Sequence, residues 1–104
     1  MDWKKPENKA LVEAVLALTS PGEVRRFLRD LLTEGEIEEF AKRLQTAALL
    51  SEKVPYSSIA RQTGFSSTTI ARVSKWLQKG EGGYTTIISR LHHHSPALSR
   101  RGLS

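Results

Sequence analysis

The sequence predicts an all-α protein, and three observations support that class. Apolar residues recur three and four positions apart along nearly the whole chain, which is the period of an amphipathic helix. Capping signatures begin two of these patterns, in Ser20-Pro21-Gly22-Glu23 and Thr33-Glu34-Gly35-Glu36. No stretch alternates apolar and polar residues strongly enough to indicate a strand.

Three helices are expected before residue 52. The first carries Leu11, Val15 and Leu18 on one face and ends at Ser20-Pro21-Gly22. Ser20 caps the second, whose buried stripe is predicted to be Val24, Phe27, Leu28, Leu31 and Leu32. Thr33 begins the third, whose inward-facing residues are predicted to be Ile37, Phe40, Ala41, Leu44, Ala48 and Leu49.

The second half of the chain predicts shorter helices. Val54-Pro55 ends the third helix, and Tyr56 to Gln62 forms the next one. Gly64 is its left-handed terminator, and Ser66 caps a helix that runs to about Lys79. A last helix covers residues 84–91. The expected organisation is a helical domain over residues 1–91 and a flexible tail over residues 92–104.

Composition fits one small domain, or one subunit of an intertwined oligomer. The chain has 104 residues, of which 38% are hydrophobic and 26% charged. No apolar run approaches the ~18 residues of a membrane span, and no cleavage-site signature follows the N-terminal segment. The chain has no cysteine, which excludes disulfides and thiolate metal sites. We therefore expect a cytoplasmic protein with no membrane partner.

The positive charge is concentrated in one window. Residues 53–80 contain five basic residues and no Asp or Glu, whereas the rest of the chain has eleven basic and eleven acidic residues. The whole formal charge of +5 therefore lies in this window of 28 residues. A segment of this length whose charges are all positive indicates a polyanionic partner. The alternative is a solvated basic face that has no partner.

Two short helices joined at Gly64 have the spacing of a helix-turn-helix, over about residues 56–79. Ala60 permits close approach of the second helix. The apolar residues that fix the angle between the helices are predicted to be Ile59, Phe65, Ile70, Val73 and Leu77. The residues expected to contact double-stranded DNA are Ser66, Ser67, Thr68, Thr69, Ala71, Arg72 and Lys75, with Lys53, Arg61 and Lys79 as further anchors. A purely structural role for the Ser/Thr cluster, as caps and turns, is the alternative.

Three segments, LLTEGEIEEFAKRL, IARQTGFSSTTIARVSKWL and GGYTTIISRL, together resemble the Trp repressor family in order and spacing. The resemblance covers roughly residues 28–91, and the glycine-rich GEGGY segment is most similar to the YerC/YecD-type branch. It implies a Trp-repressor-like helical bundle whose subunits interlock as a homodimer. Two recognition helices would then lie ~34 Å apart, facing a palindromic site.

The same resemblance implies a set of ligand positions. Thr33, Arg43 and Arg72 match the residues that hold tryptophan in the sensing members. Two further positions differ, because Val73 stands where those members have glycine and Trp76 where they have serine. We expect both side chains to close the cavity, so that L-tryptophan or another small corepressor is possible but not favoured.

Two further groups of ionisable residues give no strong indication of function. His92-His93-His94 cannot all face one ion from a regular helix, and no metal site is expected. The acidic cluster at residues 34–39 suits a helix N-terminus rather than acid–base chemistry, so an enzyme is not expected. The favoured function is a sequence-specific transcriptional regulator, expected to act as a repressor. The alternatives are a protein-interaction module and a non-specific nucleic-acid accessory that use the same basic face.

Overall fold

The structure is a computed structural model that describes residues 1–94 and, for residues 93 and 94, the backbone alone. The described residues form six helices and no strand, which confirms the all-α class. The helices are α1 Pro6–Ala17, α2 Pro21–Leu31, α3 Glu34–Ser51, α4 Tyr56–Thr63, α5 Ser67–Lys79 and α6 Gly83–His94. Within the described part, none of these helices is long and apolar enough to cross a membrane. The described residues divide into two compact units, the first over residues 1–37 and the second beginning at residue 38.

Capping signatures set the starts of α2 and α3 as predicted. The Ser20 hydroxyl accepts a hydrogen bond from the Glu23 amide at 3.1 Å, and Pro21 occupies the first turn. The Glu36 amide donates to the Thr33 hydroxyl at 3.1 Å, while the Thr33 amide donates to the Glu36 carboxylate at 2.9 Å. These bonds satisfy amides that a helix start leaves without partners.

The carboxylate of Glu23 is bound to the residue before the cap. It accepts from the Thr19 amide at 2.9 Å and from the Thr19 hydroxyl at 3.0 Å. Both bonds favour the ionised form, and the backbone bond is the larger cause of a lowered pKa for this carboxyl. The stabilising effect is therefore present above the ordinary carboxyl pKa and is lost as the pH falls through the lowered value.

The first unit buries none of its helical side chains, which corrects the buried stripe predicted for α2. Neither α1 nor α2 contains a buried residue, and Leu31 is 52% exposed. In addition, α1 ends at Ala17, so Leu18 lies at the cap rather than on the helical face. The amphipathic pattern predicted for α2 is present, but an apolar stripe is buried only when another layer covers it.

The C-terminal part of α3 is enclosed on every side. Its four consecutive residues Thr46, Ala47, Ala48 and Leu49 are all fully buried. The predicted inward positions Ala48 and Leu49 are confirmed, and Leu44 is half-buried. Phe40, at 44% exposure, and Ala41 are exposed, contrary to the prediction. The prediction of a single inward face along α3 is therefore wrong. The helix is largely exposed near its start and is packed on all sides near its end.

Two apolar clusters pack around this buried segment. One contains Ala47 and Ala48 with Val73 of α5 and Ile88 of α6. The other joins α3 to the helix-turn-helix and consists of Leu49, Val54, Ile59 and Ile70. The end of α3 thus supports α4, α5 and α6 together.

The last helix is longer than predicted, since α6 extends to His94 rather than ending at Leu91. Residues 92–94 are therefore helical, and the rest of the predicted tail, residues 95–104, lies outside the described residues. Among the described residues, no three His, Cys, Asp or Glu side chains are grouped as a metal site.

The hydroxyl of Thr46 generates the first prediction. It is fully buried, and its Oγ1 has no hydrogen-bond partner among the described residues. Thr46→Val keeps the shape and removes a desolvated polar atom, so we expect the free energy of unfolding to rise by about 1 kcal/mol. Urea denaturation at one fixed protein concentration measures the change.

Thr63→Val is the matched control. The buried Thr63 hydroxyl donates to the Ile59 carbonyl oxygen at 2.8 Å and accepts from the Phe65 amide at 3.1 Å. Its removal leaves the Phe65 amide without that acceptor, so this variant should lose stability. Equal effects of the two substitutions would contradict the assignment of Thr46 as an unsatisfied group.

Candidate nucleic-acid interface

The turn between α4 and α5 is built by a glycine and a threonine. Gly64 has a left-handed backbone, with φ of 78°, and its amide donates to the Ala60 carbonyl oxygen at 2.8 Å. Thr63 was not singled out from the sequence, yet its buried hydroxyl bonds the chain on both sides of the turn. Ala60 and Phe65 pack against the cluster that includes Ile70, as the helix-turn-helix pattern predicts. The predicted motif is therefore present.

Ser66 begins the second helix of the motif. Its hydroxyl accepts from the Thr69 amide at 3.2 Å and lies 3.1 Å from the Thr69 hydroxyl. Thr69 is half-buried, so its hydroxyl belongs to the cap. Ser67 and Thr68 are exposed on the first turn, beside amides that favour phosphate.

The outer side of α5 carries the polar and basic residues as predicted. Of the ten predicted DNA contacts, nine are exposed, and Thr69 is the exception. All five basic residues of the window are exposed, and none of them forms an ion pair with another described residue. Because no carboxylate neutralises them there, the positive potential of this face is available to an anion.

Lys53 sits in an unusual backbone conformation. Its φ is 64°, a left-handed value that costs a non-glycine residue roughly 1–2 kcal/mol. The turn that imposes it is closed by the Lys53 amide, which donates to the Leu50 carbonyl oxygen at 3.0 Å, and by the Val54 amide, which donates to Leu49 at 3.1 Å. The turn thus places an exposed lysine three residues before the start of α4.

Two of the three predicted ligand positions meet at one cavity. Arg43 of α3 and Arg72 of α5 both line a cavity of about 390 Å³, together with Thr69, Val73, Trp76 and Tyr84. A larger, more apolar cavity of about 630 Å³ adjoins it and shares Arg43, Trp76 and Tyr84. Thr33 lies in the first unit, where its hydroxyl caps α3.

The prediction that Val73 and Trp76 close this cavity is wrong for Trp76. Val73 is buried, at 5% exposure, but Trp76 is 61% exposed and lines the cavity as a wall. The reason lies at the end of α5, where the indole packs over Gly80. A Cβ at Gly80 would meet the Trp76 carbonyl oxygen and would lie 2.8 Å from Cε3 of the ring, so glycine is what permits both the backbone and the indole of Trp76 to approach this position.

Sequence reasoning missed one charged residue at this cavity. Glu39 also lines it, and its carboxylate binds the Arg43 guanidinium at 2.7 Å. The spacing of four residues on one helix was the available signal, because an acidic residue four positions before a basic one pairs readily.

A left-handed glycine turn between two packed helices, with an unneutralised basic outer face, defines a helix-turn-helix of the DNA-binding class. The comparisons with known proteins agree. The model of the family described as Trp repressor protein matches residues 7–92. By this match, the chain belongs to the Trp repressor family.

Individual relatives support the same assignment. The chain is 37% identical over 81 residues to the uncharacterized protein YerC of Bacillus subtilis (strain 168), covering 78% of each chain. The crystal structure of a TrpR-like protein from Eubacterium eligens ATCC 27750 matches with a TM-score of 0.83 and 34% identity, over 86% of this chain and 93% of that chain. A solved structure from Staphylococcus aureus matches with a TM-score of 0.81 and 33% identity, over 88% and 95%.

The turn glycine generates the second prediction. Gly64→Val places a β-branched residue at a positive φ, so we expect unfolding free energy to fall by more than about 1 kcal/mol, with loss of DNA binding. Denaturation followed by circular dichroism and a binding titration measure the two effects.

Gly83→Ala is the matched control for this variant. Gly83 opens α6 without a positive φ, and a Cβ there meets no atom within 4 Å. The alanine should leave stability unchanged or raise it slightly, since alanine favours helices. Full stability and binding in the Gly64 variant would contradict the requirement for glycine at this turn.

Proposed function

We propose that this protein is a sequence-specific transcriptional regulator that acts as a repressor by occupying an operator in double-stranded DNA. The N-terminal part of α5 enters the major groove, where Arg72 and the hydroxyls of Ser67 and Thr68 reach base edges or phosphates. Lys53, Arg61, Lys75 and Lys79 supply phosphate contacts that fix the orientation. The proposal places this activity in the cytoplasm.

One observation carries this proposal. The five basic side chains of residues 53–80 are all exposed and without a described ionic partner, and they lie on or beside a formed helix-turn-helix. Unpaired positive charges on one surface repel one another, which raises the free energy of the folded protein. Binding of a polyanion removes this repulsion. Membership of the Trp repressor family supports a DNA-binding regulator rather than an enzyme.

A homodimer is part of the proposal. The exposed apolar residues of the first unit include Leu11, Val12, Val15, Leu16 and Leu31, and neither α1 nor α2 contains a buried residue. Isolated helices of this length are marginal in water, so an apolar face of this extent needs a covering surface. A second copy supplies that surface with matched chemistry. Sedimentation equilibrium should therefore give the mass of a dimer.

Selection of bound sequences from a random duplex library tests the function. We expect a palindromic motif bound roughly 10³-fold more tightly than random DNA at physiological salt. A two-fold motif would also report a dimer. Equal and strongly salt-dependent binding to all sequences would contradict the proposal and favour a non-specific accessory or a protein-interaction module.

Two substitutions then separate base reading from phosphate anchoring. Arg72→Ala should relax specificity at one position of each half-site and cost about 1–3 kcal/mol if the guanidinium contacts a base. Lys53→Gly removes a charge at a residue with positive φ, where glycine is the easier residue, so stability should be kept or raised.

Binding of both variants to the selected motif and to scrambled DNA, over a range of salt concentrations, measures the difference. Lys53→Gly should weaken binding to both duplexes alike and reduce the salt dependence by about one phosphate contact per subunit. If Arg72→Ala also weakens both equally, Arg72 contacts phosphate and the base-reading role is excluded.

A further inference from the structure

The cavity beside the recognition helix has the chemistry of a site for an anionic aromatic compound. Two guanidinium groups, those of Arg43 and Arg72, line it, and either can pair with a carboxylate. The rings of Trp76 and Tyr84 line the same space and offer faces for stacking. Its volume of about 390 Å³ lies within the range of small-molecule sites.

A carboxylate of the protein is already present there. Glu39 lines the cavity, and its Oε2 lies 2.7 Å from Nη2 of Arg43. The same guanidinium lies over the Phe40 ring, with 5.6 Å between Cζ and the ring centroid. Arg43 is therefore bound on two sides by residues of its own helix, whereas Arg72 has no partner among the described residues.

We propose that Glu39 excludes carboxylate ligands from this cavity, so that the protein binds DNA without an amino-acid corepressor. The regulatory meaning of this inference rests on the proposed DNA-binding function. The exclusion of the ligand itself is a property of the protein free of DNA. Glu39 would then take the place of a ligand carboxylate as the counterion of Arg43 in this cavity.

The relative size of two effects identifies how Glu39 acts. Its pair with Arg43 is about half exposed, with side-chain exposures of 52% and 48%. Displacing such a pair reduces the affinity of a competing carboxylate by only about twofold. Repulsion between two carboxylates ~4 Å apart adds about fivefold where water screens the charges. The two effects together form the barrier to a ligand carboxylate, and repulsion is the larger of them.

The neighbouring residues fit this division of roles. Trp76 is held over Gly80 and leaves the cavity open, so it does not exclude a ligand by filling the space. Buried Val73 shapes the floor without adding charge. Arg72, which is exposed and unpaired, remains available to DNA.

Isothermal titration of the full chain with L-tryptophan tests the inference, because this probe combines a carboxylate with an indole. We expect wild-type protein to bind L-tryptophan weakly, and Glu39→Gln to bind it at least ~10-fold more tightly. Glu38→Gln is the matched control, since it removes the same charge from the adjacent exposed position, which has no ionic partner among the described residues. Its affinity should equal that of wild type.

Three results would overturn the inference. If wild-type protein binds L-tryptophan as tightly as Glu39→Gln does, Glu39 is no barrier to the ligand. If Glu38→Gln gains as much affinity as Glu39→Gln, the effect comes from the net charge of the protein and not from the cavity. Weak binding by both variants shows that Glu39 is not what excludes the ligand. In a parallel arm, L-tryptophan should change wild-type affinity for the selected operator by less than twofold.

The two proposals fail separately. Absence of any preferred DNA sequence would remove the proposed function, while the titrations of free protein would still decide the role of Glu39. A wild-type protein that binds its operator more tightly with L-tryptophan would keep the DNA-binding function and overturn ligand independence.

Discussion

Enclosure of the last turns of α3 is the constraint on which the second unit depends. Thr46 to Leu49 are buried on all sides of the helix, so every neighbouring helix must pack against this short segment. Ala47 and Ala48 contribute to the cluster that includes α5 and α6, while Leu49 contributes to the one that includes α4 and α5. Small side chains let helix axes approach closely, and close packing transmits any shift. The orientation of α5 is therefore set by buried residues of α3 and not by the exposed residues of the proposed interface.

How far the sequence predicts this molecule depends on the range of the interactions involved. The glycine turn and the caps at Ser20, Thr33 and Ser66 were predicted correctly because each is a local event within a few residues. The buried stripe of α2 and the inward position of Phe40 were predicted wrongly, because burial depends on which surfaces meet. A hydrophobic pattern predicts which face of a helix is apolar. It does not predict whether another part of the same chain packs against that face.

The candidate site divides in the same way. The basic outer face of α5 follows from helical periodicity, and the family resemblance predicted that Arg43 and Arg72 belong together. The position of Glu39 at the cavity was missed because an acidic residue four positions before an arginine is common on solvated helix faces. The placement of Trp76 could not be predicted either, since it depends on the space left by Gly80 beyond the helix end.

The position of Trp76 also gives the protein a native optical reporter. The chain contains two tryptophans, Trp3 in the first unit and Trp76 in the wall shared by two cavities. Indole emission depends on nearby charge and on water, and this ring is largely solvated beside a guanidinium and a carboxylate. Replacing Trp3 would leave Trp76 as a single fluorophore, whose emission wavelength would report the polarity around the cavity in solution.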